Sequence, residues 1–173
     1  MKLIVCMMLL TFLSGCTGLP DNVSPVKPFN VERYLGKWYE IARLDHSFER
    51  DLERVTANYK LKEDGTIDVI NSGFSIETGE RRQAQGVAKF ARDSDEGYLK
   101  VSFFGPFYGS YVVFELDQDN YQYAFVSGFN KDYLWLMSRA PTIDAELKDD
   151  FIKEARRLGF NVDDLIWVNQ SAL

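Results

Sequence analysis

From Gly36 onward, short runs rich in Val, Ile, Tyr and Phe alternate with clusters of turn-forming residues. The runs predict strands at about 37–44, 54–62, 66–74, 81–92, 98–104, 110–117, 121–128 and 133–139. Asp64-Gly65, Thr78-Gly79, residues 93–97, Gly105-Pro106, Asp119-Asn120 and Asn130-Lys131 separate them. Strands joined mostly by short turns predict an antiparallel up-and-down sheet. In the second run Val55, Ala57, Tyr59 and Leu61 share one face, while Thr56, Asn58, Lys60 and Lys62 share the other. Residues 111–116 (YVVFEL) and 133–137 (YLWLM) are apolar on both faces, so both faces need cover. A barrel lumen would supply one cover and a helix the other. Ile143, Leu147, Phe151, Ile152, Ala155 and Leu158 recur at helical spacing and make one apolar stripe. Asp144 or Thr142 would cap the start of that helix, and Gly159 sits where its C-terminal cap belongs. Residues 165–168 (LIWV) predict a last short strand.

The N-terminus follows a different pattern. Residues 3–13 (LIVCMMLLTFL) form an eleven-residue apolar run after Met1-Lys2. A membrane-spanning helix takes about 20 such residues, so this run matches the core of a secretory signal instead. Leu13-Ser14-Gly15-Cys16 directly after it resembles a bacterial lipobox. That resemblance implies cleavage before Cys16, a signal peptide of residues 1–15 and acyl chains on Cys16 as the membrane contact. Thr17, in place of Asp, points by the same resemblance to the outer membrane of a Gram-negative cell. Residues 17–30 hold three of the five prolines and carry no helical or strand period. Residues 16–30 are therefore expected to be a lipidated N-terminus and extended tether.

Composition narrows the partners. The formal charge is −6 in 173 residues, and it becomes −7 once Lys2 leaves with the signal. A negative protein repels phosphate backbones, so no nucleic-acid partner is expected. Aromatic residues make up 14% of the chain, which favours strands and apolar surfaces. Cys6 and Cys16 are the two cysteines, so residues 17–173 contain no disulfide, thiolate nucleophile or Cys-ligated metal.

Three short motifs give the barrel a resemblance. Gly36-Lys37-Trp38-Tyr39 resembles the G-x-W motif that opens the first strand of lipocalins. Asn130-Lys131-Asp132-Tyr133 resembles their T-D-Y motif, and Arg139 the arginine of their third. The segments GKWYEIARLDHSFER and KVSFFGPFYGSY resemble the bacterial lipocalins of outer-membrane lipoprotein type, relatives of apolipoprotein D and plant temperature-induced lipocalins. The resemblance covers residues 29–170. It implies an all-β fold with one helix: an eight-stranded antiparallel up-and-down lipocalin barrel over residues 31–173, with the amphipathic helix packed outside. It also implies that Arg139 lies over Trp38. The implied function is to bind, store or transport a fatty acid or lysophospholipid in a barrel cavity, for membrane maintenance. No catalytic residue, metal or cofactor is expected, and a homodimer is left open.

Candidate site residues follow from strand parity. If Trp38 points inward, Glu40 and Ala42 share its face. The choice for the later strands is Tyr111, Val113, Tyr123, Phe125, Leu134 and Leu136. Arg43 and Arg54 are candidates to meet a phosphate or carboxylate near the mouth, with a solvated surface role as the competing reading. His46, the single histidine, stands in Asp45-His46-Ser47; adjacent residues rarely converge as a triad, so it reads as a loop histidine. Gly105–Gly109 reads as a turn with exposed aromatics, a flap at the cavity or a membrane- or partner-touching edge. Two other functions compete with a carrier: a structural membrane lipoprotein with a filled barrel, and a weak lipid-modifying enzyme.

Overall fold

The computed structural model describes residues 17–171. The signal segment and Cys16 lie outside the described residues. The elements in chain order are α1 (Val31–Tyr34), β1 (Gly36–Arg43), β2 (Leu52–Leu61), β3 (Ile67–Ser75), β4 (Arg81–Phe90), β5 (Tyr98–Phe104), β6 (Phe107–Leu116), β7 (Tyr123–Ser127), β8 (Leu134–Ser138), α2 (Ala145–Arg157) and β9 (Ile166–Trp167), with a 3-10 turn at Val162–Asp164. Each strand from β1 to β8 pairs antiparallel with the next, and β8 pairs back onto β1. The sheet closes as an eight-stranded up-and-down barrel, which leaves no free edge among those strands. β9 pairs with β1 beyond the stretch that β2 covers, with Ala42 opposite Trp167.

The two ends differ. At one end α1 and the β2–β3, β4–β5 and β6–β7 turns gather, and Tyr34 and Trp38 are buried beneath them. This end is closed. The connections β1–β2, β3–β4, β5–β6 and β7–β8 form the opposite end, the mouth. α1 is one turn long, too short to show a period, and Asn30 caps it by accepting from the Arg33 N–H. α2 starts at Asp144, whose side chain accepts from the Leu147 N–H, so Asp144 and not Thr142 is its cap.

The apolar residues sort into two layers on either side of the barrel wall. The inner layer includes Trp38, Ala57, Tyr59, Val69, Val126 and Met137. The outer layer lies under α2, where Phe151 meets Phe125 at a ring separation of 4.9 Å. This explains why β6 and β8 are apolar on both faces.

Residues 17–30, expected as a tether, are extended but docked on the barrel. The Gly18 N–H donates to Ser110 Oγ at 2.9 Å, and that hydroxyl donates back to the Gly18 carbonyl at 2.7 Å. Val26 N–H donates to the Val113 carbonyl, and the Gly97 N–H donates to the Val26 carbonyl. Phe29 N–H donates to the Asp95 carbonyl, and Val23 and Phe29 are buried. A Cβ on residue 97 would stand 2.9 Å from Val26 Cγ2, so glycine there permits the approach. Buried Pro20, Val23 and Phe29 and this row of bonds hold a segment whose proline content suggested freedom.

Candidate functional site

The three motifs lie at opposite ends of the barrel. Gly36 holds φ +90°, a conformation open to glycine, and its missing side chain leaves room for Arg139 Nη1. The Arg139 guanidinium lies 4.0 Å from the centre of the Trp38 ring. Its nitrogens donate to the carbonyls of Lys37 and Arg33 at 2.8 Å each, and to that of Tyr121 at 3.3 Å. Trp38 Nε1 donates to the Tyr34 carbonyl at 2.8 Å. One planar cation thus ties three closed-end segments together. Asp132 and Tyr133 sit at the mouth instead. Asn130 Oδ1 accepts from the Asp132 N–H at 3.0 Å, which closes the turn and aims Tyr133 at the cavity.

A cavity of about 300 Å³ opens from the mouth into the barrel. That is the lower end of the usual range for small-molecule sites. Val55, Ala57, Val69, Val101 and Met137 make its aliphatic wall, and Phe103, Phe129, Tyr133 and Trp135 stand higher in it. Tyr59 and Tyr111 form the base. Their hydroxyls are 2.9 Å apart, and Tyr111 meets the Tyr34 hydroxyl at 2.8 Å. Burial, more than any neighbour, pushes all three phenols up, so they stay neutral donors and acceptors. Asn71 Oδ1 in the wall has no hydrogen-bond partner among the described residues.

One wall carries charge. Glu40 and Arg43, each 2% exposed, meet at 2.8 Å. Arg43 also donates to the carbonyls of Glu49 and Leu52. Glu49 Oε2 accepts from Trp135 Nε1 at 3.0 Å and lies 3.0 Å from His46 Nε2. Burial and then the Glu49 charge push the Glu40 carboxyl well above the usual glutamate range, against the pull of Arg43. Burial opposes ionisation of Glu49 as well, but the nearby His46 imidazole and the Trp135 N–H outweigh it and hold Glu49 low. Two adjacent buried carboxylates therefore divide their roles, one favouring its proton and the other its charge.

The candidate lining residues separate into three groups. Glu40 and Tyr111 line the cavity. Val113 faces the interior but lies below it. Ala42, Tyr123, Phe125, Leu134 and Leu136 belong to the outer layer under α2 and do not line the cavity. For Ala42 the cause is a bulge: one extra residue of β1 sits between the pairs Glu40–Met137 and Ala42–Leu136, and parity flips. On β7 and β8 the inward set is Ala124, Val126, Trp135 and Met137, because the opposite parity packs on α2. Both parities are apolar there, so alternation carried no direction.

Arg43 is tied within the wall and is not free to meet a ligand anion. Arg54 lies outside the cavity lining, with its guanidinium 3.9 Å from the Phe74 ring centre. His46 is a loop histidine as expected, but a buried one that packs on Tyr133 and Trp135. Asp45 turns away to Arg50 at 2.9 Å, so Asp45 and His46 do not converge as a triad would. Glu49, Trp135 and Met137 were not anticipated in the site. The outward look of a charged loop and a doubly apolar strand hid them.

Comparison with known proteins agrees with this architecture. The family model described as a lipocalin-like domain matches residues 29–170. The chain is 57% identical over 168 residues to the outer membrane lipoprotein Blc of Vibrio cholerae, covering 97% of this chain and 96% of that one. It is 36% identical to temperature-induced lipocalin-1 of Arabidopsis thaliana, covering 84% and 82%. Among solved structures, insecticyanin from the tobacco hornworm Manduca sexta superposes with a TM-score of 0.71 at 23% identity, covering 89% and 87%. That last likeness is one of fold.

Proposed function

The chain belongs to the lipocalin family, and from that premise we propose that it binds and carries a single-tailed lipid, a fatty acid or a lysophospholipid, while acyl chains on Cys16 hold it at the outer membrane. The open apolar cavity of about 300 Å³ carries this reading. A filled barrel would offer no such space, so the structural-lipoprotein alternative loses its main support.

The driving force is removal of a hydrocarbon tail from water. Burial gains about 0.8 kcal/mol per CH₂, or on the order of 12 kcal/mol for a sixteen-carbon chain before costs. Immobilisation and lost chain freedom subtract several kcal/mol. The remainder supports micromolar binding or tighter, about −8 kcal/mol. The aliphatic wall suits the tail, and the hydroxyls of Tyr59 and Tyr111 and Asn71 Oδ1 offer polar contacts. The name of the Vibrio cholerae relative and the Leu13-Ser14-Gly15-Cys16 box both support an anchored outer-membrane protein. Such a protein would store or move lipids that membrane maintenance releases or requires. The catalytic reading draws no support from His46, whose neighbour Asp45 is committed to Arg50.

A fluorescent fatty acid titrated into the protein is expected to saturate at one site and to be displaced by palmitate or a lysophospholipid. A linear, unsaturable signal would reject the proposal.

A further inference from the structure

Among the described residues, the exposed large hydrophobic side chains gather at the mouth half of the barrel. Phe48 (67% exposed), Ile76 (65%), Phe104 (72%) and Phe107 (60%) stand on three different mouth connections. Phe48, Phe104 and Phe107 also line the cavity, so the apolar rim is continuous with the apolar interior. Ile76 N–H donates to the Asp51 carbonyl, which ties its loop to that of Phe48. The others, Ile166 and Trp167, lie on β9 beside the mouth half of β1. Isolated exposed apolar residues need no explanation, but a ring of them around an opening does.

The N-terminal segment has a direction. From Phe29, bonded at Asp95 in a closed-end turn, it runs back past Val26 on Val113 to Gly18 on Ser110. Ser110 is three residues along β6 from Phe107, about 10 Å at the strand rise. Cys16 is two residues beyond Gly18, a reach of at most about 7 Å. The chain therefore approaches its anchor on the mouth side, and the docked tether fixes that approach.

We infer that the mature protein stands mouth-down on its own membrane, with Phe48, Ile76, Phe104 and Phe107 seated in the lipid surface. This orientation rests on the proposed acylation of Cys16. It commits the rim to lipid and not to a second copy, because an anchor within about 7 Å of Gly18 brings the bilayer to the rim before any partner arrives. The seating is apolar: Arg50 beside the rim is paired with Asp45, so anionic lipid is not required. A lipid entering or leaving the cavity then passes between two apolar phases without crossing water.

The test uses the full mature lipoprotein in vesicles of phosphatidylethanolamine and phosphatidylglycerol. The chain has no cysteine after Cys16, whose sulfur acylation consumes, so Phe107→Cys and Asp95→Cys each carry one environment-sensitive fluorophore. Ile76→Cys repeats the mouth measurement on another loop. The probes at 107 and 76 are expected to shift to the blue and to resist an aqueous quencher several-fold better than the probe at 95. Equal access at all three positions, or shielding of 95 instead, overturns the orientation. Shielding at 107 with energy transfer between labelled copies at high lipid dilution overturns it in favour of a second copy. Intact mass of the same sample separates the premises. No acyl mass on Cys16 rejects the anchor and this inference with it, whereas acylated protein with an accessible rim rejects this inference alone.

Discussion

Arg43 Nη1 and Glu40 Oε1 meet at 2.8 Å on the interior side of the wall, although they are three residues apart on one strand. In a regular strand such residues face opposite sides. The extra residue between the Glu40–Met137 and Ala42–Leu136 pairs returns Arg43 to the inner face. The charged corner of the cavity is thus a product of strand register.

A guanidinium keeps its charge, so removing the Glu40 carboxyl leaves a buried cation without that acceptor. Glu40→Leu is expected to cost about 3–5 kcal/mol in urea unfolding, while the double change Glu40→Leu with Arg43→Met is expected to be near neutral. A double variant as unstable as the single one would contradict this account.

The same corner makes stability depend on pH in two senses. Glu40 holds its proton above the ordinary glutamate value of 4.5, so its contribution is full below that value and is lost as pH rises towards the raised one. Glu49 is held low, so its contribution is present above 4.5 and is lost as pH falls through its lowered value. Glu40→Gln is expected to flatten the decline in melting temperature as pH rises above 4.5. Glu49→Gln is expected to flatten the acid-side loss. Calorimetry on both sides of pH 4.5 checks both signs.

Inner and outer apolar residues are expected to separate binding from stability. Val101→Trp places an indole in the vacant volume and is expected to weaken fatty-acid binding at least about tenfold, or 1.4 kcal/mol. Leu136→Ala, under α2, is expected to cost about 2–5 kcal/mol of stability and to leave affinity unchanged. Displacement titrations and urea unfolding on the two variants read the difference.

Arg139 is expected to resist conservative replacement. Lysine keeps the charge but not the fork that reaches three carbonyls over the Trp38 ring. Arg139→Lys and Arg139→Ala are both expected to lose about 1–3 kcal/mol. A fully stable lysine variant in thermal unfolding would show that the charge alone suffices.

Much of the architecture was legible along the chain. Alternation in Val55, Ala57, Tyr59 and Leu61 marks a strand with one inner face, and three of these four line the cavity. The spacing of Leu147, Phe151 and Ala155 marks α2, and Trp38 and Arg139 mark the closed end. These are local signals, because a period of two or of 3.6 residues is a property of consecutive positions. The docking of residues 17–30 was not legible, since its bonds go to Val113, Gly97 and Asp95, far along the chain.

The order of strands, turns and helix therefore belongs to the sequence, where local geometry and patterning are enough to specify it. Which face of β7 and β8 looks inward was decided only by tertiary structure. Both faces of those strands are apolar, and the choice rests on where α2 packs, while in β1 one extra residue makes the corresponding choice for Ala42 and Arg43. The cavity belongs to the same class. It is a volume left unfilled where eight strands meet, and its Glu49–Trp135 contact joins residues 86 positions apart. No pattern within a single segment specifies an empty space or a contact of that range.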